Sequence, residues 1–391
     1  MFFKPFLSKI LKNNKQNFFV KHSNLTALFI ISLITGIFAF RFSDQLFKPT
    51  NMSEYGEKYS QSQYILGENS PANISDAELY IYAGYAYFKG EDPTTINFEH
   101  PPLGKYLFGL SYYLTGNSLQ INILLHIITL FLFFLLSKKF INSLLLRIGA
   151  VLTLAALPLF SHLLPQALLD VPLLLSMLAF YLALSWKTTK LFQKYFLIGL
   201  ILGVMASIKY PIPFMVIPFS ILFIGAWMQK EIRWILLSLL VIFGIYLFQY
   251  LGYFIHGHSI FDFIKFEIYR FNWWTGDRTM PKFLIFENLF TGRYEAWWEP
   301  GTYQYTKEWT PLLPIIFMLS LPSFFVMKKD NWTILYFVFS IITLLFFAIG
   351  SGASLRYLLL TIPIWILTIF SGFETLINKN EFKKKLLQNQ K

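Results

Sequence analysis

The chain has 391 residues, 55% hydrophobic, 19% aromatic and only 14% charged, with a net charge of +12 and no cysteine. That much apolar side chain exceeds what a soluble fold of this size can cover, so the composition excludes an ordinary soluble enzyme and predicts a membrane protein. The lack of cysteine excludes disulfides, thiolate zinc sites and c-type haem attachment.

The chain opens with a lysine-rich stretch (Lys4, Lys9, Lys12, Lys15) and an apolar run at 24–41. That run ends Phe38-Ala39-Phe40-Arg41 without a small-residue cleavage site, and reads as a retained anchor. A long polar segment, 42–118, follows. Within it, Asp76 to Lys89 predicts a helix closed by Gly90, with Tyr80, Ala83, Gly84, Tyr87 and Phe88 at helical spacing. Residues 103–115, behind two prolines, predict a second short helix lying along the interface.

Apolar runs of roughly 17 to 22 residues then recur between short polar breaks, the length a helix needs to cross a hydrocarbon core. With 24–41 the candidate spans are 119–137, 144–164, 168–186, 195–209, 211–228, 234–255, 311–327, 332–350 and 357–374. Each must be helical, since lipid offers no partner to a backbone amide. A second long segment, 256–310, separates the seventh and eighth spans and is rich in Trp and Tyr. Trp273, Trp274, Trp297, Trp298 and Trp309 can stack on sugars, and equally suit an interface belt. The expected architecture is an all-α polytopic membrane protein, one domain over 1–391 with about ten transmembrane helices and two large external loops.

Placing the N-terminus inside puts 20 of the 33 Lys and Arg residues, and only four of the 21 acids, on the inner side. The positive-inside rule therefore predicts cytoplasmic N- and C-termini, and puts both long loops outside. The basic excess sits where anionic lipid attracts it, so no nucleic-acid partner is implied.

The external acids and bases carry the chemistry. Ser75-x-x-Glu78 is a capping box, which accounts for Glu78. The same helix N-terminus keeps the Asp76 carboxylate ionised, as a general base requires. Asp170 stands at a membrane boundary between Leu169 and Val171-Pro172, where an ionised group is expensive and tends to be functional. Lys209 sits at an outer span end against the charge rule, and Arg356 in a short external turn. Each suits either a phosphate clamp or an interfacial anchor. His256-Gly257-His258 could join Glu99 or His100 in a metal site, although His-x-His alone is a weak signal.

Asp76-x-x-x-Tyr80-x-x-Ala83 with Gly90, followed by His100-Pro101-Pro102-Leu103-Gly104-Lys105, resembles the first external loop of dolichyl-phosphate-mannose protein mannosyltransferases and their bacterial relatives. These are GT-C membrane glycosyltransferases, a class that includes the lipid A aminoarabinose transferases. Ala167-Leu168-Leu169-Asp170-Val171-Pro172, Ser207-Ile208-Lys209-Tyr210 and Arg356-Tyr357 resemble later landmarks, so the likeness spans most of the chain. One departure stands out: the family usually has adjacent Asp-Glu where this chain reads Asp76-Ala77-Glu78.

The resemblance implies a GT-C-type bundle and transfer of a monosaccharide, with mannose favoured, from a polyprenyl-phosphate donor to a hydroxyl of a protein, lipid or glycan acceptor. It implies Asp76 as the base, Asp170 or Glu78 as a second, acceptor-orienting acid, and Lys209, Arg356, His100 and Lys105 as donor-phosphate ligands. Some aminoarabinose transferases hold a structural zinc with a loop glutamate and histidines, so Glu99, His256 and His258 are the candidates for a divalent cation; no other cofactor is implied. The expected location is the plasma membrane, with the active site outside the cytoplasm. A transporter or lipid flippase is the alternative, but the acids lie in loops and at span ends and no internal repeat is evident. A noncatalytic scaffold is the third reading.

Overall fold

The computed structural model describes residues 22–71, 73–276, 282–296, 301–350 and 354–388. In chain order, with the short helices of 42–69 left unnumbered, the principal helices are α1 (Ser23–Arg41), α2 (Asp76–Phe88), α3 (Leu103–Thr115), α4 (Ile121–Phe140) and α5 (Leu144–Ala156). Next come α6 (Asp170–Leu184), α7 (Leu191–Ile208), α8 (Pro211–Met228), α9 (Ile235–Phe248) and α10 (Ile260–Thr275). The last are α11 (Leu284–Thr291), α12 (Leu312–Val326), α13 (Asn331–Ile349) and α14 (Ile362–Gln388).

Every expected span carries a helix. By length and composition α1, α4, α7 and α13 are long and apolar enough to cross a membrane, and shorter apolar helices fall at α5, α6, α8, α9 and α12. Three expected spans are broken. The run 144–164 stops at Ala156 because Pro158 cannot continue the ladder and starts a separate turn, Pro158–Ser161. The run 234–255 divides into α9 and the turn Leu251–Ile255. Residues Leu355–Leu360 wind as a 3-10 helix, and α14 begins just before Pro363.

Small residues let the helices approach. Gly199 and Gly203, one turn apart on α7, face α9 so closely that an added Cβ would lie 2.7 Å from Val241 and 2.9 Å from Ile245. In the first long loop α2 crosses α3 at Gly84 and Gly109, where backbone meets backbone. Here the predicted signals act as expected. Ser75 and Glu78 form the capping box of α2, Gly90 follows it at φ 91°, and Gly116 closes α3 in the left-handed region.

At the end of α7 remote from Lys209, Lys194 pairs with Glu231 at 2.9 Å. Glu374 of α14 accepts the N–H groups of Asn142 (2.9 Å) and Ser143 (2.7 Å), fastening the last helix to the α4–α5 turn. The second long loop holds structure the sequence did not predict. Besides α10 and α11 it contains an antiparallel hairpin of β1 (Arg293–Glu295) and β2 (Tyr303–Tyr305). Three-residue strands are too short for an alternation to be visible. Trp297 and Trp298, and the lysines at 4, 9, 12 and 15, lie outside the described residues.

Candidate active site

Four ionisable side chains from four separate elements of the chain meet at one place. Asp76 is the first residue of α2 and is 51% exposed. Asp170 opens α6 and is 3% exposed. Lys209 follows the last turn of α7 in extended backbone, and Tyr210, kept out of the helical region by the proline after it, leads into the new helix that starts at Pro211. Arg356 lies in the 3-10 helix before α14. Lys209 Nζ is 2.8 Å from Asp170 Oδ1. The Arg356 guanidinium spans the two acids, Nη1 3.5 Å from Asp170 Oδ2 and Nη2 3.4 Å from Asp76 Oδ2. Burial disfavours the Arg356 charge, but Asp170 and Asp76 outweigh it and hold the pKa above its ordinary value. Lys209 also packs on the rings of Tyr357 (4.7 Å) and Phe214 (5.0 Å).

An aromatic stack supports this cluster. The ring of Trp274, from α10, lies 5.3 Å from His100 and 5.5 Å from Tyr210, nearly parallel to the latter at 7°. His100 Nδ1 accepts the Tyr210 N–H at 3.2 Å, and Trp274 Nε1 donates to the Glu99 carbonyl at 3.0 Å. His100 thus supports the main chain beside Lys209. Burial lowers its pKa well below the ordinary value, and the neighbouring charges of Lys209, Lys105, Arg270 and Arg356 act the same way. The imidazole is neutral, as its acceptor role requires. Because the unfolded chain protonates near pH 6.5 and the folded one resists it, stability is expected to fall as pH drops below 6.5 toward the folded pKa. Melting temperatures between pH 7.5 and 5 test this, and His100→Gln should flatten the slope.

Lys105 is placed differently from the expectation. It is 0% exposed and donates to the carbonyls of His100 (2.6 Å) and Asn97 (3.1 Å) beneath the rings of Tyr80 and Tyr87. Burial lowers its pKa far below that of a free lysine. Its ammonium fastens the 97–100 loop rather than facing the cluster, because Pro101 and Pro102 turn the chain so that α3 starts underneath that loop. Glu78 is also engaged elsewhere. Its carboxylate closes the cap on Ser75 and pairs with Lys58 at 2.9 Å. Burial opposes its ionisation, yet the hydrogen bonds from Lys58 and Ser75 prevail and keep its pKa below the ordinary range.

The expected metal ligands do not converge. His258 Nε2 is 3.0 Å from Asp92, which caps the turn Pro93–Ile96, and the His258 ring stacks on Tyr253 at 4.1 Å. His256 Nδ1 lies 2.6 Å from the Gly252 carbonyl. Among the described residues no group of three His, Asp or Glu side chains could hold a metal ion. The spacing His-x-His does not fix where either ring points, and here His256 turns to its own turn and His258 to Asp92 of the first long loop.

Sequence reasoning missed Arg270. It is 0% exposed on α10, donates to the Tyr250 hydroxyl (2.6 Å), to Tyr246 and to Glu267, and lies 5.3 Å from the Tyr210 ring. The signal available was the Glu267/Arg270 pair one turn apart, which reads as an ordinary helical ion pair. Arg270 and Trp274, one turn apart, clamp the Lys209–Tyr210 junction from the second loop. Replacing Arg270 by Met should cost about 2 kcal/mol, the strength of hydrogen bonds to a charged group, and would be read as a lowered melting temperature.

The model of the dolichyl-phosphate-mannose-protein mannosyltransferase family matches residues 99–249, a segment holding His100, Lys105, Asp170 and Lys209. No curated protein matches the chain. Among solved structures it is similar to ArnT from Cupriavidus metallidurans bound to undecaprenyl phosphate, at 15% identity and TM-score 0.60, covering 88% of this chain and 59% of that one. It is also similar to the same protein in the apo state, at 14% identity and TM-score 0.57, covering 89% of this chain and 60% of that one. The chain thus spans about three fifths of the structures it matches, and what it shares with them is the GT-C fold.

Proposed function

We propose that this GT-C protein is a membrane glycosyltransferase that moves a monosaccharide from a polyprenyl-phosphate donor to a hydroxyl acceptor, by a single displacement with inversion. The observation that carries the reading is the chain Asp76–Arg356–Asp170–Lys209, which sets a half-exposed carboxylate beside Arg356 and links it through Asp170 to a second cation, Lys209. The family model matched within the chain and the lipid phosphate named for one ArnT structure support the donor class.

In this mechanism the acceptor oxygen attacks the anomeric carbon while Asp76 takes its proton. The bond from that carbon to the phosphate oxygen breaks, and its electron pair leaves with the polyprenyl phosphate. Lys209 and Arg356 hold the phosphate and meet the charge that builds on the leaving oxygen, an interaction that strengthens toward the transition state. Asp170 keeps both cations in place. The neutral His100 and its stack fix the main chain that carries Lys209.

We take residues 1–391 as a single membrane domain of the plasma membrane, and the charge distribution supports a site on its outer face, cytoplasmic termini, and loops 42–118 and 256–310 outside. The family model makes a mannosyl donor the first to test, and the acceptor is a protein, lipid or glycan hydroxyl. The deciding measurement supplies purified protein with radiolabelled polyprenyl-phosphate monosaccharides, mannose first, and a mixture of candidate acceptors. Acceptor-dependent transfer with inverted configuration is expected. Absence of transfer from every donor, together with movement of lipid between the leaflets of proteoliposomes, would replace the transferase by a flippase.

A further inference from the structure

The transfer proposed above converts one phosphate ester into another of different charge, and the ionised groups at the site bear on that difference. Lys209 and Arg356 are both faced by Asp170, one through each carboxylate oxygen, at 2.8 Å and 3.5 Å. Asp76 adds a second negative charge beside Arg356. The four charges cancel. His100 is neutral, Lys105 is occupied with two carbonyls, and Arg270 is paired with Glu267.

We propose that Asp170 sets the charge of this site so that it favours the sugar-bearing phosphodiester over polyprenyl phosphate itself, the monoester that transfer leaves behind. The proposal rests on the transferase reading and assigns Asp170 a role beyond holding the cations. A phosphodiester carries one negative charge, whereas a monoester carries about −1.5 to −2 at neutral pH. During transfer the acceptor proton moves to Asp76, so the total charge of the complex does not change. Once Asp76 returns that proton to water, the monoester lies with its extra charge against a site that two carboxylates have already neutralised. Repulsion then favours departure of the product. Without the buried carboxylate the site would carry a net positive charge and retain the monoester. Asp170 acts through Lys209 and Arg356, so it is a positioning residue and not a catalytic one.

The test compares equilibrium binding of farnesyl phosphate and its methyl diester to the full-length protein in detergent. Wild type should bind the diester at least as tightly as the monoester. Asp170→Asn should tighten monoester binding by about tenfold, equivalent to a single charge-pair difference of 1.4 kcal/mol, with a smaller change for the diester. A merely structural role would instead weaken both ligands together, and that result overturns the proposal. If Asp170→Asn does not fold, wild type decides alone: a tenfold preference for the monoester overturns the proposal. That preference in a protein that transfers sugar removes only the charge-setting role, whereas binding of neither phosphate removes the transferase reading with it.

Discussion

Asp76→Asn should lower the rate of sugar transfer by about 10²- to 10⁴-fold, the usual worth of a positioned general base, while the protein stays folded. Asparagine keeps the shape and can still occupy the first position of α2, but its amide accepts no proton from an attacking hydroxyl. The fold should tolerate the change because Asp76 is half exposed and its contact to Arg356 is a long 3.4 Å. Such pairs contribute less than about 1 kcal/mol. Donor binding should persist, since Lys209 and Arg356 remain. Initial rates at equal concentrations of folded protein give the answer, and an asparagine variant within about threefold of wild type, far inside that range, would remove Asp76 as the base.

Gly84→Val should prevent assembly of the first long loop and cost about 3 kcal/mol or more, at the upper end for overpacking. A Cβ at Gly84 would stand 2.3 Å from the Lys105 carbonyl oxygen and 2.7 Å from the Gly109 nitrogen, and both are backbone atoms that no rotamer change can move aside. The helix that presents Asp76 would have to separate from the helix that anchors Lys105. Gly36 on α1 provides the control, because an added Cβ there meets nothing within 4 Å. Gly36→Val should therefore run as a single species in size exclusion with an unchanged melting temperature. Gly84→Val should appear as aggregate or low yield; a wild-type melting temperature would show that the crossing can yield.

What could be read beforehand divides along physical lines. Helix-forming segments were legible because lipid permits little else, and so were the Ser75–Glu78 cap, Gly90 and the 103–115 helix, all of which depend on neighbours in sequence. Breaks within expected spans were harder, since an apolar run does not announce where Pro158 or Pro363 will interrupt it. Asp170 and Lys209 drew attention as charges at apolar boundaries, which is a matter of cost and visible in a string. Their 2.8 Å contact was not visible, because it joins residues 39 positions apart. Lys105 and His258 show the limit most clearly. Both were picked for residue type, and which partner each meets depends on how two prolines turn the chain and how α10 docks. Arg270 showed only an ordinary helical pair with Glu267, because its burial comes from tyrosines outside its own helix.

The stack of His100, Trp274 and Tyr210 joins three regions that could otherwise vary separately: the first long loop, the second, and the α7–α8 junction. With no disulfide to fasten either loop, these rings make the two long loops poorly modular. A chimera that imports only the 256–310 segment of a relative brings a foreign neighbour to the Lys209 main chain. Loop exchange intended to redirect acceptor choice should therefore transplant the three stacked positions as one unit, or confine the exchange to the β1–β2 hairpin, which none of the three rings belongs to.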